Sequence, residues 1–178
     1  MTRKHLLSNL SEIKHLFEEQ GFICDLQTPT ELSRHEQIIV QMPGTVENNA
    51  VVLRIFWSTA NEIAANEDPK FLHFFVLLPI QISEQRLKET ITLVLSMNAM
   101  FDLSTFGVYE ADRLIYYRYV HVCSAEGVAK EPIIAILSSI AYLLESCVPY
   151  LTEIASGHKT LETIQHEAQA VLKKHGLN

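Results

Sequence analysis

Eight histidines and three cysteines stand among 21 acidic residues in this chain, enough material for a metal site or for acid–base chemistry. Spacing decides whether that material can be used. No HxxxH or HExxH motif occurs and no His/Cys pair falls on one helix face, so the patterns that build zinc sites are missing. His15 and Glu19, like Glu162 and His166, stand one helical turn apart, a spacing that ordinarily gives solvated surface contacts. His73, within "FLHFFV", reads as a structural strand histidine. His121 and Cys123, two residues apart in "YVHVC", point to one side of a strand. A thiol nucleophile with an imidazole base also needs an oxyanion-stabilising element, such as a Gly turn before a helix, and none accompanies them. Asp102, Glu110 and Asp112 bracket a hairpin, where acidic residues serve the turn. Six glycines lie mostly at turns and caps, with no phosphate cradle among them. The residues therefore predict no enzyme, no cofactor and no metal.

What is abundant instead is aromatic strand. "FGVYEADRLIYYRYVHV", residues 106 to 122, joins two apolar and aromatic runs by a short charged turn. On alternating positions Tyr117 and Tyr119 share one face, and Tyr116, Arg118 and Val120 share the other. One face belongs to a core. The other is covered by a partner or left for recognition, and Tyr suits both, because its ring packs while its hydroxyl stays wet.

The elements that must position these residues follow from periodicity. Leu6, Leu7, Leu10, Ile13, Leu16 and Phe17 recur at helical spacing over residues 4–20, and Gly21 sits where a left-handed cap belongs. "FICDLQ", "QIIVQM" and "VVLRIFW" read as strands, the second closed by the turn signal "PGTVENNA". "STANEIAANEDPK" reads as a polar connection with room for one helical turn. "FLHFFVLLPIQI" is a near-continuous apolar run, expected of a central strand buried on both faces and ending near Pro79. Ser83 is the predicted N-cap of a helix over 84–98, with Leu87, Ile91, Val94, Leu95 and Asn98 on one face. After the hairpin (strands near 104–109 and 113–122), Pro132 opens a long helix whose apolar residues exceed one stripe, with Pro149 predicted to end or kink it. A last amphipathic helix spans 160–175, its basic end matching the dipole.

The bulk numbers place this architecture. At 178 residues, 48% hydrophobic and 20% charged, the chain fits one domain, 1–178, with a C-terminal helical extension over 158–178. A net charge of −7 repels polyanions, so neither nucleic acid nor anionic membrane is an expected partner. "TRKH" and "KKH" are ordinary helix-end residues. Cys24, Cys123 and Cys147 lie far apart with no CxxC pair, which points to a reducing compartment. The N-terminus lacks the apolar core of a signal peptide, and "IIAILSSIAYLLESCVPYL" is broken by Glu145 and Pro149, so it reads as a buried helix rather than a span. Cytoplasm is the expected location. The order of elements predicts an α+β, two-layer fold: an antiparallel sheet with helices on one face. The second stripe of the long helix must then be covered by the last helix or by another subunit.

"LVLSMNAMFDLSTFGVYEADRLIYYRYVHV", followed by the Pro-started helix, resembles the YbjN-like proteins and, more distantly, the small acidic type III secretion chaperones. The likeness covers residues 4–155 as element order and 93–150 as motif. It implies an α-β-β-β-α-β-β-α fold, here with an extra C-terminal helix, that is usually dimeric and has no enzyme activity. Chaperones of that class bind an extended segment of a client protein along apolar grooves and sheet edges. On this reading Phe56, Trp57, Phe71, Phe74, Tyr117 and Tyr119 are the candidate partner-facing residues. The YbjN-like alternative is a regulatory or stress-associated protein that acts through self-association, with no secreted client.

Overall fold

The computed structural model describes residues 6–31, 34–46, 49–59, 70–103 and 105–174. A two-residue strand, β1 (Leu6–Leu7), precedes helix α1 (Leu10–Glu19). The predicted helix from residue 4 thus starts later than its periodicity suggests, because Asn9 caps it. The Asn9 side chain accepts the Glu12 N–H at 2.9 Å, and the Glu12 carboxylate accepts the Ser8 N–H at 2.7 Å. At the other end Gly21 adopts a φ of 86°, with Gly21 N–H donating to Glu18 and Phe22 N–H to Phe17. That pair of bonds is the Schellman motif, as the position of Gly21 predicts.

Four strands follow: β2 (Cys24–Gln27), β3 (Gln37–Val46), β4 (Asn49–Thr59) and β5 (Lys70–Gln81). The resemblance implies three here, whereas the hydropathy pattern marks all four. β3 runs on through Pro43 and Gly44 into the predicted turn segment, with a register shift between Gln41 and Thr45. The predicted connection between β4 and β5 lies outside the described residues. After β5 a 3₁₀ turn (Glu84–Arg86) leads into α2 (Leu87–Met100), and β6 (Phe106–Tyr109) and β7 (Leu114–Cys123) form the hairpin. β8 (Val128–Ala129) pairs with β1, and helices α3 (Lys130–Ser156) and α4 (Leu161–Lys174) close the chain.

The main sheet is antiparallel throughout, in the order β2-β3-β4-β5-β7-β6. β5 is central, and Pro79 falls in a register irregularity between Leu77 and Gln81, where a missing N–H costs no ladder bond. α1 packs on β2 and β3, α3 on β3 and β5, and α2 on α3 and β6. The helices share one face, so Leu53, Ile55, Leu72, Phe74, Val76, Leu78, Ile115 and Tyr117 are sealed beneath them. Each such side chain contributes about 1.5–3 kcal/mol of burial.

Two further expectations change. The buried face of α2 is Thr90, Leu93, Val94 and Met97, while Leu95 is exposed. α3 continues through Pro149 for two more turns, because Leu151, Ile154 and Ala155 are buried in the core and their burial offsets the lost N–H. By length and composition α3 could cross a membrane, yet here its apolar residues pack on the sheet. Helix α2 packs against α3, and α4 packs on α2, where Leu161 N–H meets Glu89. The architecture is α+β, a six-stranded antiparallel sheet with four helices.

Candidate interaction surface

Register assigns every strand residue to one of two faces. Ile55, Phe74 and Tyr119 are successive partners across β4, β5 and β7 and point to the helices. Their neighbours point the other way, where no described helix packs. That open face carries Phe56 and Ser58 on β4, Phe71, His73, Phe75 and Leu77 on β5, and Tyr116, Arg118, Val120 and Val122 on β7. β5 is therefore buried on one face only. Leu77 is 44% exposed, Tyr109 46% and Val122 63%, high values for side chains of this kind on a sheet.

The open face is ordered by ring contacts. Phe56 lies between two imidazoles, 5.4 Å from His35 and 4.8 Å from His73, with near-parallel planes. Ser58 Oγ and His73 Nε2 are hydrogen-bonded at 2.7 Å. Burial, then the charge of Arg118 and of His35, lowers the His73 pKa below its ordinary value. Farther along, Tyr116 sits 4.5 Å from Tyr109 and 6.2 Å from Phe75. The Tyr116 ring lies over Gly107, where a β-carbon could be placed only by shifting the ring.

Beside this face the sheet is unfinished. β6 pairs only with residues 114–117 of β7, after which Arg118 N–H donates to Thr105 at 3.0 Å. β7 continues to Cys123 with no described strand on that side. Ladder bonds in an antiparallel pair alternate sides. Arg118 points its N–H away from β5, so Val120 and Val122, in unbroken register with it, do the same. An open cleft of about 570 Å³ lies where β6 stops, lined by Asp102, Thr105, Phe106, Tyr116, Arg118, Tyr119 and Val120.

No protein-family model, curated protein or solved structure matches this chain. The site must therefore be read from its own residues.

Of the six predicted partner-facing residues, the structure puts Phe56 and Phe71 on the open face. Tyr119 is half-buried on the helix side, 6.0 Å from Phe74, and lines the cleft. Phe74 and Tyr117 are 0% exposed core residues, so in this chain neither can meet a partner. Tyr117 donates its hydroxyl to Leu103 at 2.9 Å and meets Phe106 edge-on at 5.3 Å, and burial raises its pKa. Trp57 also faces the helices, and its buried indole N–H has no acceptor among the described residues. The alternation along β7 is as predicted, but the choice of open face is reversed: Tyr116, Arg118, Val120 and Val122 occupy it. Leu77 and Phe75 were missed because the whole β5 run read as buried, and "VVLRIFW" already held the signal in the one charged residue among its apolar neighbours.

The chemistry candidates stand apart from this surface. Cys123 is buried on the helix side, donates its thiol to the His121 carbonyl at 3.5 Å, and has a pKa raised by burial, opposite to an activated nucleophile. Burial likewise lifts Cys24 and Cys147 to about 11. Among the described residues no three His, Cys, Asp or Glu side chains gather as a metal site. His15 and Glu19 form an exposed pair at 3.4 Å.

Proposed function

We propose that this protein is a non-enzymatic protein-binding module that takes an extended segment of a client as an added strand along the open edge of β7. The observation that carries this reading is the unpaired half of β7 beside the cleft. The N–H and C=O groups of Val120 and Val122 point away from β5 with no described strand to receive them. Added main-chain hydrogen bonds supply affinity, and alternate client side chains enter the cleft or lie on the open face. Tyr119, Phe56 and Phe71 keep their partner-facing role in this reading. The resemblance to type III secretion chaperones agrees with the mode of binding.

A photo-reactive phenylalanine analogue at Val122, with one at Leu95 on the helical side as control, tests the reading in cells. Adducts with other polypeptides are expected from position 122, and Val120→Pro should abolish them, since it removes an edge N–H and leaves the β5 ladder whole. Adducts that survive Val120→Pro overturn edge pairing. An adduct of twice the chain mass would assign the edge to self-association instead.

A further inference from the structure

The open face has a property that edge pairing does not use, namely its sign. Arg54, Phe75 and Arg118 form one row across β4, β5 and β7. Both arginines are exposed, and neither makes an ion pair among the described residues. No carboxylate is among the described side chains that alternate outward on β3, β4, β5 and β7. The nearest acid in the row is Asp25, on the edge strand β2 next to Ile39. In a chain of net charge −7, this apolar face thus carries two arginines against one described carboxylate, Asp25 at its β2 edge.

We infer that this face docks an acidic amphipathic helix of another protein, with its apolar stripe along β5 and carboxylates on both flanks meeting Arg54 and Arg118. Three physical arguments select this occupant. A segment laid flat on a sheet finds no main-chain partners there, so its buried backbone groups would go unpaired; a helix satisfies its own. β4 and β7 both neighbour β5, so the two arginines stand about 10 Å apart across it, two strand spacings, close to a helix diameter. A second copy stacked face to face would bring four arginines into one interface with two edge-strand carboxylates, Asp25 of each copy, to meet them, leaving positive charge in excess. The inference rests on the protein-binding reading but uses a different surface from the β7 edge.

The test uses the full chain and labelled synthetic peptides of about 18 residues, five helical turns, followed by fluorescence anisotropy. One peptide carries a Leu stripe flanked by Glu, a second replaces each Glu by Lys, and a third is the Glu peptide with a central Pro. The Glu peptide should bind about tenfold tighter than the Lys peptide, two rim charge pairs at up to about 1 kcal/mol each, and more weakly as salt rises. The Arg54→Glu/Arg118→Glu double variant should invert the preference while keeping the wild-type circular dichroism and melting curve. The Glu peptide should gain helical circular dichroism on binding, which separates this face from the β7 edge, where a segment would bind extended. Equal binding of the Glu and Lys peptides, an unchanged preference in the double variant, or full binding of the Pro-broken peptide would overturn the proposal.

Discussion

Along β7 two environments alternate at every residue. Ile115 and Tyr117 lie under helices with no exposure, while Tyr116 and Arg118, alternating with them, look out from a face that no described helix covers. Composition barely distinguishes the two faces, since both are aromatic and branched. What separates them is what the polar atoms do. On the covered face the Tyr117 hydroxyl is tied to one carbonyl, that of Leu103, and its ring is wedged against Phe106. On the open face the arginines make no ion pair among the described residues, and rings stack beside them. The covered face stabilises the fold; the open one is the face on which the proposed binding rests.

The sharpest way to break the comparison is to truncate neighbours on opposite faces. Tyr117→Ala should cost about 4 kcal/mol, combining lost burial, a cavity and an unpaired Leu103 carbonyl. Tyr116→Ala should cost about 1 kcal/mol or less, the loss of its ring contacts with Tyr109 and Phe75. Denaturant titration of both variants reads the difference. Similar losses in the two would mean that something covers the open face in solution.

Period-2 alternation allowed the sequence to sort Tyr117 and Tyr119 from Tyr116 and Arg118, since alternation is a local property of the strand. Which set faces the core is not local. It depends on which side α3 crosses, and no residue of the hairpin records that. The strands, the Gly21 cap and the Pro132 helix start were readable for the same reason, each resting on a few adjacent residues. β5 misled because a run of Leu, Phe and Val looks alike whether one face or both is buried. α3 misled in another way: Pro149 is a strong local stop, overridden by the buried Leu151, Ile154 and Ala155 beyond it. "SMNAM" drew notice without its mechanism. Asn98 uses its side-chain amide like a strand backbone, donating to the Phe106 carbonyl at 2.8 Å and accepting the Phe106 N–H at 2.9 Å, which fixes β6 to α2.

A smaller effect probes an imperfection of the covered face. Burying the Trp57 indole N–H, which has no partner among the described residues, carries a penalty of about 1–3 kcal/mol, while trimming the ring to Phe gives up about 1 kcal/mol of apolar burial. Trp57→Phe should therefore leave stability unchanged or raise it by up to about 1 kcal/mol. This is the reverse of the usual large-to-small loss in a core. A clear loss of stability in the same titration would show that the indole N–H finds an acceptor in solution.

The smallest expected effect belongs to the open face and is a pH dependence. His73 stacks on Phe56, accepts or donates one bond with Ser58, and faces His35 from across the stack and Arg118 from β7. No carboxylate among the outward-facing described residues of β4, β5 and β7 offsets these cations. Burial and positive neighbours therefore hold the folded-state pKa below the ordinary 6.5. Between the two values the unfolded chain binds more protons than the folded one, so stability rises with pH in that window. The neutral-His73 contribution is complete above about 6.5 and is lost as pH falls through the folded value. His121, on the covered side, is lowered by burial alone and adds a loss of the same sign. Denaturation midpoints between pH 7.5 and 5 should fall for the wild type and fall less steeply for His73→Phe, which keeps the stack without the proton. Added salt should shrink the His73 share, because Arg118 acts through partly screened solvent, and leave the His121 share in place. Equal slopes in wild type and variant would mean that His73 is as well solvated as a free imidazole, and the open face would then be wetter than its ring contacts indicate.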